Sequence, residues 1–451
     1  MAGSVVLYIA DALGASESGM RLLLSLFSGY PLAWLYRKPF LYSQSATVKH
    51  LYFILMGLLQ CYFNFGTDLY HSLINISVIY ILLKVCGGTK FSVGFAFLFN
   101  ISYLVVGYLY QVIEDGEYSI TWTMPHCVLT LRLTAIAFDL YDGQKRPVPK
   151  DAQDSALASC PSFLEIMGQC YFFGCFLVGP QYCMRRYLSF VHGEYSDPRT
   201  KGPPNSLMPG LERLLLGVAY IATFQLVYLY VSDDYLTTPA FQEKGLLLKC
   251  IILVIWGKTC LNKYIGSWLI TEGAIIYCGL SYNGVDNNNV AQWDACTNIR
   301  VKNLETSSTL HDVIRSFNCN TNLWMAKYIY KRLRFLGNKY LSQCLTLFYL
   351  AVWHGIFSGY YMCFFLEFVY VYCESQPVVF LAKKLFSSFL LSYALVGFSL
   401  LNWQKWMSVY ASVSYIGFLL PLEVTVLCWV LLKLLPRRSL QNGAATSNHP
   451  R

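Results

Sequence analysis

Runs of about 20 mostly apolar residues recur along almost the whole chain, and this recurrence restricts the fold more than any other feature. A helix rises about 1.5 Å per residue, so one such run matches a hydrocarbon core about 30 Å thick. Runs of this kind lie near 20–36, 49–65, 70–86, 91–112, 120–141, 162–183, 211–231, 245–262, 265–281, 342–371, 376–401 and 405–435. In lipid every backbone polar group must bond within the protein, so the pattern predicts an all-α polytopic membrane protein. Pro125, Arg132, the Gly179-Pro180 pair and Glu272-Gly273 interrupt several runs, which predicts kinked or re-entrant segments and reduces the expected crossings to about ten or eleven.

Composition excludes the main alternative. With 55% hydrophobic and only 13% charged residues, the chain is too apolar for a water-soluble globule. Lipid covering its outside lets residues 1–451 form one integral membrane domain, ending in a short polar tail at 436–451. The net charge of +9 sits mostly in short loops, as an orientation signal does, and fits anionic lipid headgroups or an anionic substrate better than nucleic acid. The 16 cysteines are scattered, several inside apolar runs (Cys61, Cys250, Cys363, Cys428), without CxxC pairs or metal-type spacing. They read as small core residues, and no metal is expected. The run from Met20 to Trp34 lacks a cleavage site and is expected to stay as a helix. No internal repeat supports a transporter built from inverted halves.

Polar connections occupy 142–161 and 187–210, and a long Asn-rich stretch occupies 282–320. Loops of that length are uncommon without a function. In 321–338, Met325, Ile329, Leu333 and Leu336 form an apolar stripe opposite Lys327, Lys331 and Arg334, the pattern of a helix lying in the membrane interface. Asn75 and Asn100 match the glycosylation pattern but fall inside apolar runs, out of reach of that machinery.

Polar groups deep in a membrane are costly and mark functional candidates. His354 lies in the run 347–355, about twelve residues and roughly 18 Å into its apolar segment, near the expected bilayer midplane. Desolvation there favours the neutral imidazole, the form that accepts a proton. Gly355 beside it permits close approach, and Ser358, one turn on, is expected to share its face. Taken alone, His354 is equally explained as a structural histidine bonded to a neighbouring carbonyl, and His71 and His126 are read that way. Asn318, in Ser316-Phe317-Asn318-Cys319-Asn320, is by position a turn or capping residue, although a side-chain amide can also donate to a developing oxyanion.

Taken together, the motifs resemble the membrane-bound O-acyltransferase superfamily, and within it the lysophospholipid acyltransferases. Val352-Trp353-His354-Gly355 is similar to the family's histidine motif. Phe317-Asn318 through Trp324, running into Tyr328-Ile329-Tyr330-Lys331-Arg332, resembles its asparagine motif, 36 residues upstream. Gln292-Trp293-Asp294, Asn298-Ile299-Arg300, Gly279-Leu280-Ser281-Tyr282-Asn283-Gly284, Gly179-Pro180-Gln181-Tyr182 and Arg185-Arg186-Tyr187 resemble further shared segments, so the likeness covers about 160–370.

The resemblance implies a helical bundle with an internal chamber, a catalytic His354 and an essential Asn318. It implies acyl transfer from acyl-CoA, a co-substrate rather than a cofactor, to the free hydroxyl of a lysophospholipid. Lysophosphatidylcholine is the first expected acceptor, with the ethanolamine and serine analogues beside it. Residence in the endoplasmic reticulum membrane is also implied, and a homodimer is an open arrangement. Lys327, Lys331, Arg332 and Arg334 are candidates for meeting CoA phosphates, with a cluster attracted to anionic lipid as the alternative, while Trp353 and Ser358 are candidate substrate contacts. Competing readings are protein, sterol or diacylglycerol acceptors, a lipid transporter or scramblase, and a non-catalytic scaffold.

Overall fold

The computed structural model describes residues 2–115, 119–197, 200–374 and 383–434, and among them every regular element is a helix. The polar tail read at 436–451 lies outside the described residues. The chain groups into two compact units, the first made of Met1–Leu226, Leu261–Leu304 and Arg315–Ile356, the second of Val227–Cys260, Glu305–Ile314 and Phe357–Arg451.

Among the described residues, Ala46–Cys86, Lys90–Glu114 and Leu207–Tyr228 are long and apolar enough to cross a bilayer by length and composition. Other runs expected to cross take different forms. The Lys339–His354 and Ser358–Glu374 helices divide the run 342–371 at Gly355, and the runs 245–262 and 265–281 merge into one helix, Leu246–Cys278. The Thr123–Gly143 helix contains Arg132, Asp139 and Asp142, all buried, so protein rather than lipid surrounds most of it.

The run 162–183 departs furthest from a spanning helix. A capping box starts it, with Ser162 Oγ accepting from Glu165 N and Glu165 Oε2 accepting from Ser162 N. The helix lasts only from Phe163 to Cys170, and the chain then runs without regular structure to Cys183 while staying buried. Irregular backbone at membrane depth must find its donors in the protein. The buried guanidinium of Arg132 bridges the helix end and the irregular segment: Nη1 donates to the last helical carbonyls, Gln169 and Cys170, at 3.0 and 3.2 Å, and Nη2 to that of Cys175 at 3.2 Å. Its face rests on the Tyr182 ring, 5.0 Å away. Trp268 Nε1 donates to Val178 O, and Gln181 Nε2 to Val128 O, which ties the far end of the segment down. Phe53, Tyr171, Phe172, Tyr187 and Phe190 fill the core around it.

In the second unit, the Ser358–Glu374 and Lys383–Leu400 helices approach so closely that a Cβ at Gly359 would lie 2.0 Å from the Gly397 carbonyl oxygen. Asp233 accepts from Trp256 Nε1 and Ser399 Oγ, both at 2.9 Å. Glu374 accepts from the backbone amides of Leu310 and His311.

Replacing Arg132 with Met strands the carbonyls of Cys170 and Cys175, while Gln169 O keeps the Tyr182 hydroxyl as a donor, at about 1–3 kcal/mol for each acceptor stranded. The Arg132→Met protein is expected to melt several degrees below wild type in a thermal scan of purified material, and equal melting temperatures would refute the role given to the guanidinium.

Candidate functional site

The Thr123–Gly143 helix is the wall on which both candidate motifs sit. At 3.6 residues per turn, positions 127, 131, 138 and 142 fall on one stripe. Trp353 Nε1 donates to Cys127 O at 2.8 Å, and Trp324 Nε1 to Leu131 O at 2.9 Å. The two tryptophans, one from each motif, are therefore seated one turn apart, about 6 Å along the same helix. Tyr349 stacks on Trp324 at 6.2 Å and on Phe97 at 5.1 Å, which joins the two motif helices directly.

His354 is the final residue of the Lys339–His354 helix. It lies in the apolar run, as the sequence indicates, but at a helix end rather than in mid-helix. Gly355 follows with φ 146°, a conformation that side-chain-bearing residues rarely adopt, and this ends the helix at the imidazole. Tyr108 Oη donates to the Trp353 carbonyl at 2.9 Å, and the Trp353 and His354 rings meet edge to face at 4.7 Å. The backbone on which His354 stands is thus held from two sides. Ser358 does not share its face, because it begins the next helix, where its Oγ accepts from Trp406 Nε1 and donates to Leu401 O.

Asn318 occupies the N-cap position of the Cys319–Tyr328 helix in the left-handed conformation, φ 50° and ψ 47°, and its side chain makes no capping bond. The amide is therefore not used up by the helix start, and it stands half-buried. The turn is built from outside. Arg300 N donates to Ser316 O, Cys319 N donates to Asn298 O at 2.8 Å, and Asn320 N donates to Asn298 Oδ1 at 3.1 Å. Asn320 Nδ2 donates to the carbonyls of Cys296 and Thr297, and the Phe317 ring lies against Trp268. The segments at 292–300 and 316–324 are in this way one structure. Arg186 Nη1 donates to Leu280 O and Tyr282 O, which brings 179–187 and 279–284 together as well.

The basic stretch differs from its expected form. The Cys319–Tyr328 helix stops at Ile329, and Tyr330–Leu336 is a 3-10 helix, so 321–338 is not one interfacial α-helix. A set of carboxylates engages its cations, two of them from buried positions and one at the surface. Lys327 Nζ donates to Ser155 Oγ and lies 3.6 Å from Asp139, which also accepts from Ser155 Oγ and from Tyr328 Oη at 2.7 Å. Arg332 grips both oxygens of Asp142, and Lys331 pairs with Asp151 at 3.3 Å. Arg334 is exposed. Burial works against the charged form of Asp151, but the hydrogen bond and attraction of Lys331, with Arg332 adding to them, together hold its carboxyl below the usual carboxylate range. Three of the four cations proposed to meet phosphate thus already face a carboxylate. Asp139 and Tyr108 went unnoticed in the sequence; an acid inside an apolar run was the available signal for Asp139, and nothing singles out Tyr108 among 35 tyrosines.

A helical membrane protein whose histidine and asparagine motif helices both dock on the Thr123–Gly143 helix fits one class: the chain belongs to the membrane-bound O-acyltransferase family, whose sequence pattern matches residues 108–404. Among individual proteins it is similar to lysophospholipid acyltransferase 5 of Mus musculus, 40% identical over 95% of this chain and 92% of that one. The Bos taurus protein of the same name is 41% identical over 95% of this chain and 93% of its own, and that of Drosophila melanogaster 39% over 91% and 86%. The resemblance seen in the motifs, including its lysophospholipid acyltransferase branch, is borne out.

Tyr108→Phe removes one hydrogen bond, about 1 kcal/mol, from the turn that carries His354. It is expected to lower the melting temperature modestly and to reduce turnover more than expression level, as measured on purified protein. A fully active Tyr108→Phe enzyme would show that this bond does not hold the histidine.

Proposed function

We propose that this protein transfers a fatty acyl group from acyl-CoA to the free hydroxyl of a lysophospholipid, lysophosphatidylcholine first and the ethanolamine and serine analogues beside it. The observation that carries the reading is the Asn318 turn: a strained, left-handed residue whose amide is spared from capping, on a helix that shares its wall with the histidine helix. Backbone strain of this kind, maintained by outside bonds, is a mark of functional sites. The names of the similar proteins supply the acceptor class.

In this mechanism the lysophospholipid hydroxyl oxygen attacks the thioester carbonyl carbon while His354 takes its proton. The C–O bond forms, the C–S bond breaks, and the leaving CoA thiolate receives the proton back from His354. Asn318 donates from its amide to the carbonyl oxygen as charge develops there, or orients the attacking hydroxyl. Trp353 holds the histidine helix on its wall. A chamber within the bundle would admit both acyl chains, and Arg334, with Lys331 at the exposed end of the basic stretch, would meet the CoA phosphates. The reading includes residence in the endoplasmic reticulum membrane as a multi-pass protein, as a monomer or a homodimer.

The test is acyl transfer from mixed acyl-CoAs to a panel of lysophospholipids by purified protein in nanodiscs. His354→Ala is expected to abolish turnover in a protein that remains folded and inserted, and Asn318→Ala to cut turnover at least tenfold with normal expression. Transfer retained by His354→Ala would remove the general base from the mechanism. Transfer to protein, sterol or diacylglycerol acceptors but to no lysolipid would replace the acceptor while keeping the chemistry.

A further inference from the structure

We propose that Glu272 is a positioning residue for the reaction, acting through the Asn298 strand to hold Asn318 in its left-handed conformation. The inference rests on the acyl-transfer reading above and names a residue outside its two motifs. Glu272 lies on the Leu246–Cys278 helix and is 1% exposed. A carboxylate placed that deep demands compensation. Its Oε1 accepts from two successive backbone amides, Asn298 N at 2.7 Å and Ile299 N at 2.9 Å, and Arg213 Nε lies 3.7 Å from its Oε2.

Those two amides belong to the residues that build the asparagine turn. The carbonyl of Asn298 accepts from Cys319 N, and its side-chain Oδ1 accepts from Asn320 N, so Asn298 grips the two residues that follow Asn318. The chain of bonds from Glu272 to Asn318 is therefore carboxylate, two amides, one carbonyl and one side-chain oxygen, then the helix start. A left-handed asparagine is a minor conformer in an unrestrained turn. With the Asn298 strand released, the turn relaxes to ordinary geometry and the Asn318 amide swings to cap its own helix, as asparagine does elsewhere.

The experiment compares wild type, Glu272→Ala, Glu272→Gln and Glu272→Asp in nanodiscs by hydrogen exchange over 296–322 and by steady-state kinetics with acyl-CoA and lysophosphatidylcholine. In Glu272→Ala, exchange at residues 298, 299, 319 and 320 is expected to rise at least tenfold, with kcat down at least tenfold and both KM values within threefold. Glu272→Gln keeps a carbonyl to accept the amides and is expected to recover most of kcat. Wild-type exchange and kcat in Glu272→Ala would overturn the proposal, as would a change confined to KM, or a fall in kcat without faster exchange at 319 and 320. Should Glu272→Ala fail to fold, Glu272→Asp decides, since it draws the carboxylate one methylene back from both amides: faster exchange at 298, 299, 319 and 320 with lower kcat supports the linkage, and unchanged values reject it. A wild-type enzyme inactive on every lysolipid would bring down the acceptor reading, whereas the exchange data would still decide whether Glu272 holds the turn.

Discussion

Thirteen residues of irregular chain, 171–183, lie buried in the first unit, and everything around them depends on giving their carbonyls donors. A buried, unpartnered carbonyl costs about 1–3 kcal/mol, and water is not at hand inside a membrane protein. Arg132 meets part of the demand with one planar group that reaches Cys175 O inside the segment and the Gln169 and Cys170 carbonyls at the end of the helix before it. Its fork geometry makes this possible, since the five N–H donors of a guanidinium diverge in one plane while a lysine offers a single point. Because Arg132 stands on the Thr123–Gly143 helix, the same bonds that satisfy the segment also fix that helix.

The fixed helix then serves as a reference for the chemistry. Trp353 and Trp324 are large, mostly apolar side chains with a single polar handle, and each handle finds a carbonyl on it. An indole set down in this way loses its rotational freedom and hands that loss on to the residue it carries, here the histidine on one helix and the asparagine turn six residues upstream on the other. The holding is done by Trp353, Trp324, Tyr108 and the 296–300 segment, which fix the backbone on which His354 and Asn318 stand.

The helical class was legible because apolar runs of bilayer length have few other solutions, and the two motifs were legible only as an ordered set resembling a known family, since His354 and Asn318 taken singly read as structural. What stayed hidden depended on contacts between residues far apart in the chain. The Gly179-Pro180 pair announced an interrupted segment in 162–183, but nothing in that run reveals that its carbonyls will be met by Arg132, some 40 residues away. The stripe of Met325, Ile329, Leu333 and Leu336 had the helical period, but Tyr330–Leu336 is a 3-10 helix whose Arg332 and Lys331 pair with Asp142 and Asp151. Ser358 seemed to share a face with His354 only because a helix was assumed to continue through Gly355, and the backbone at φ 146° breaks it there. Glu272 was visible as a charge in an apolar run, while its two amide partners, 26 and 27 positions on, were not.

The pairing of Lys327, Lys331 and Arg332 with carboxylates bears on how a multiply charged ligand would arrive. Charges already matched by neighbours project little field beyond a Debye length of about 8 Å at physiological salt. Long-range steering, which speeds encounter when a surface carries unbalanced charge, is correspondingly weak on this face. Capture then proceeds by short-range exchange, with a phosphate taking the place of a carboxylate beside an exposed cation such as Lys331, and the association rate changes only shallowly as salt is added.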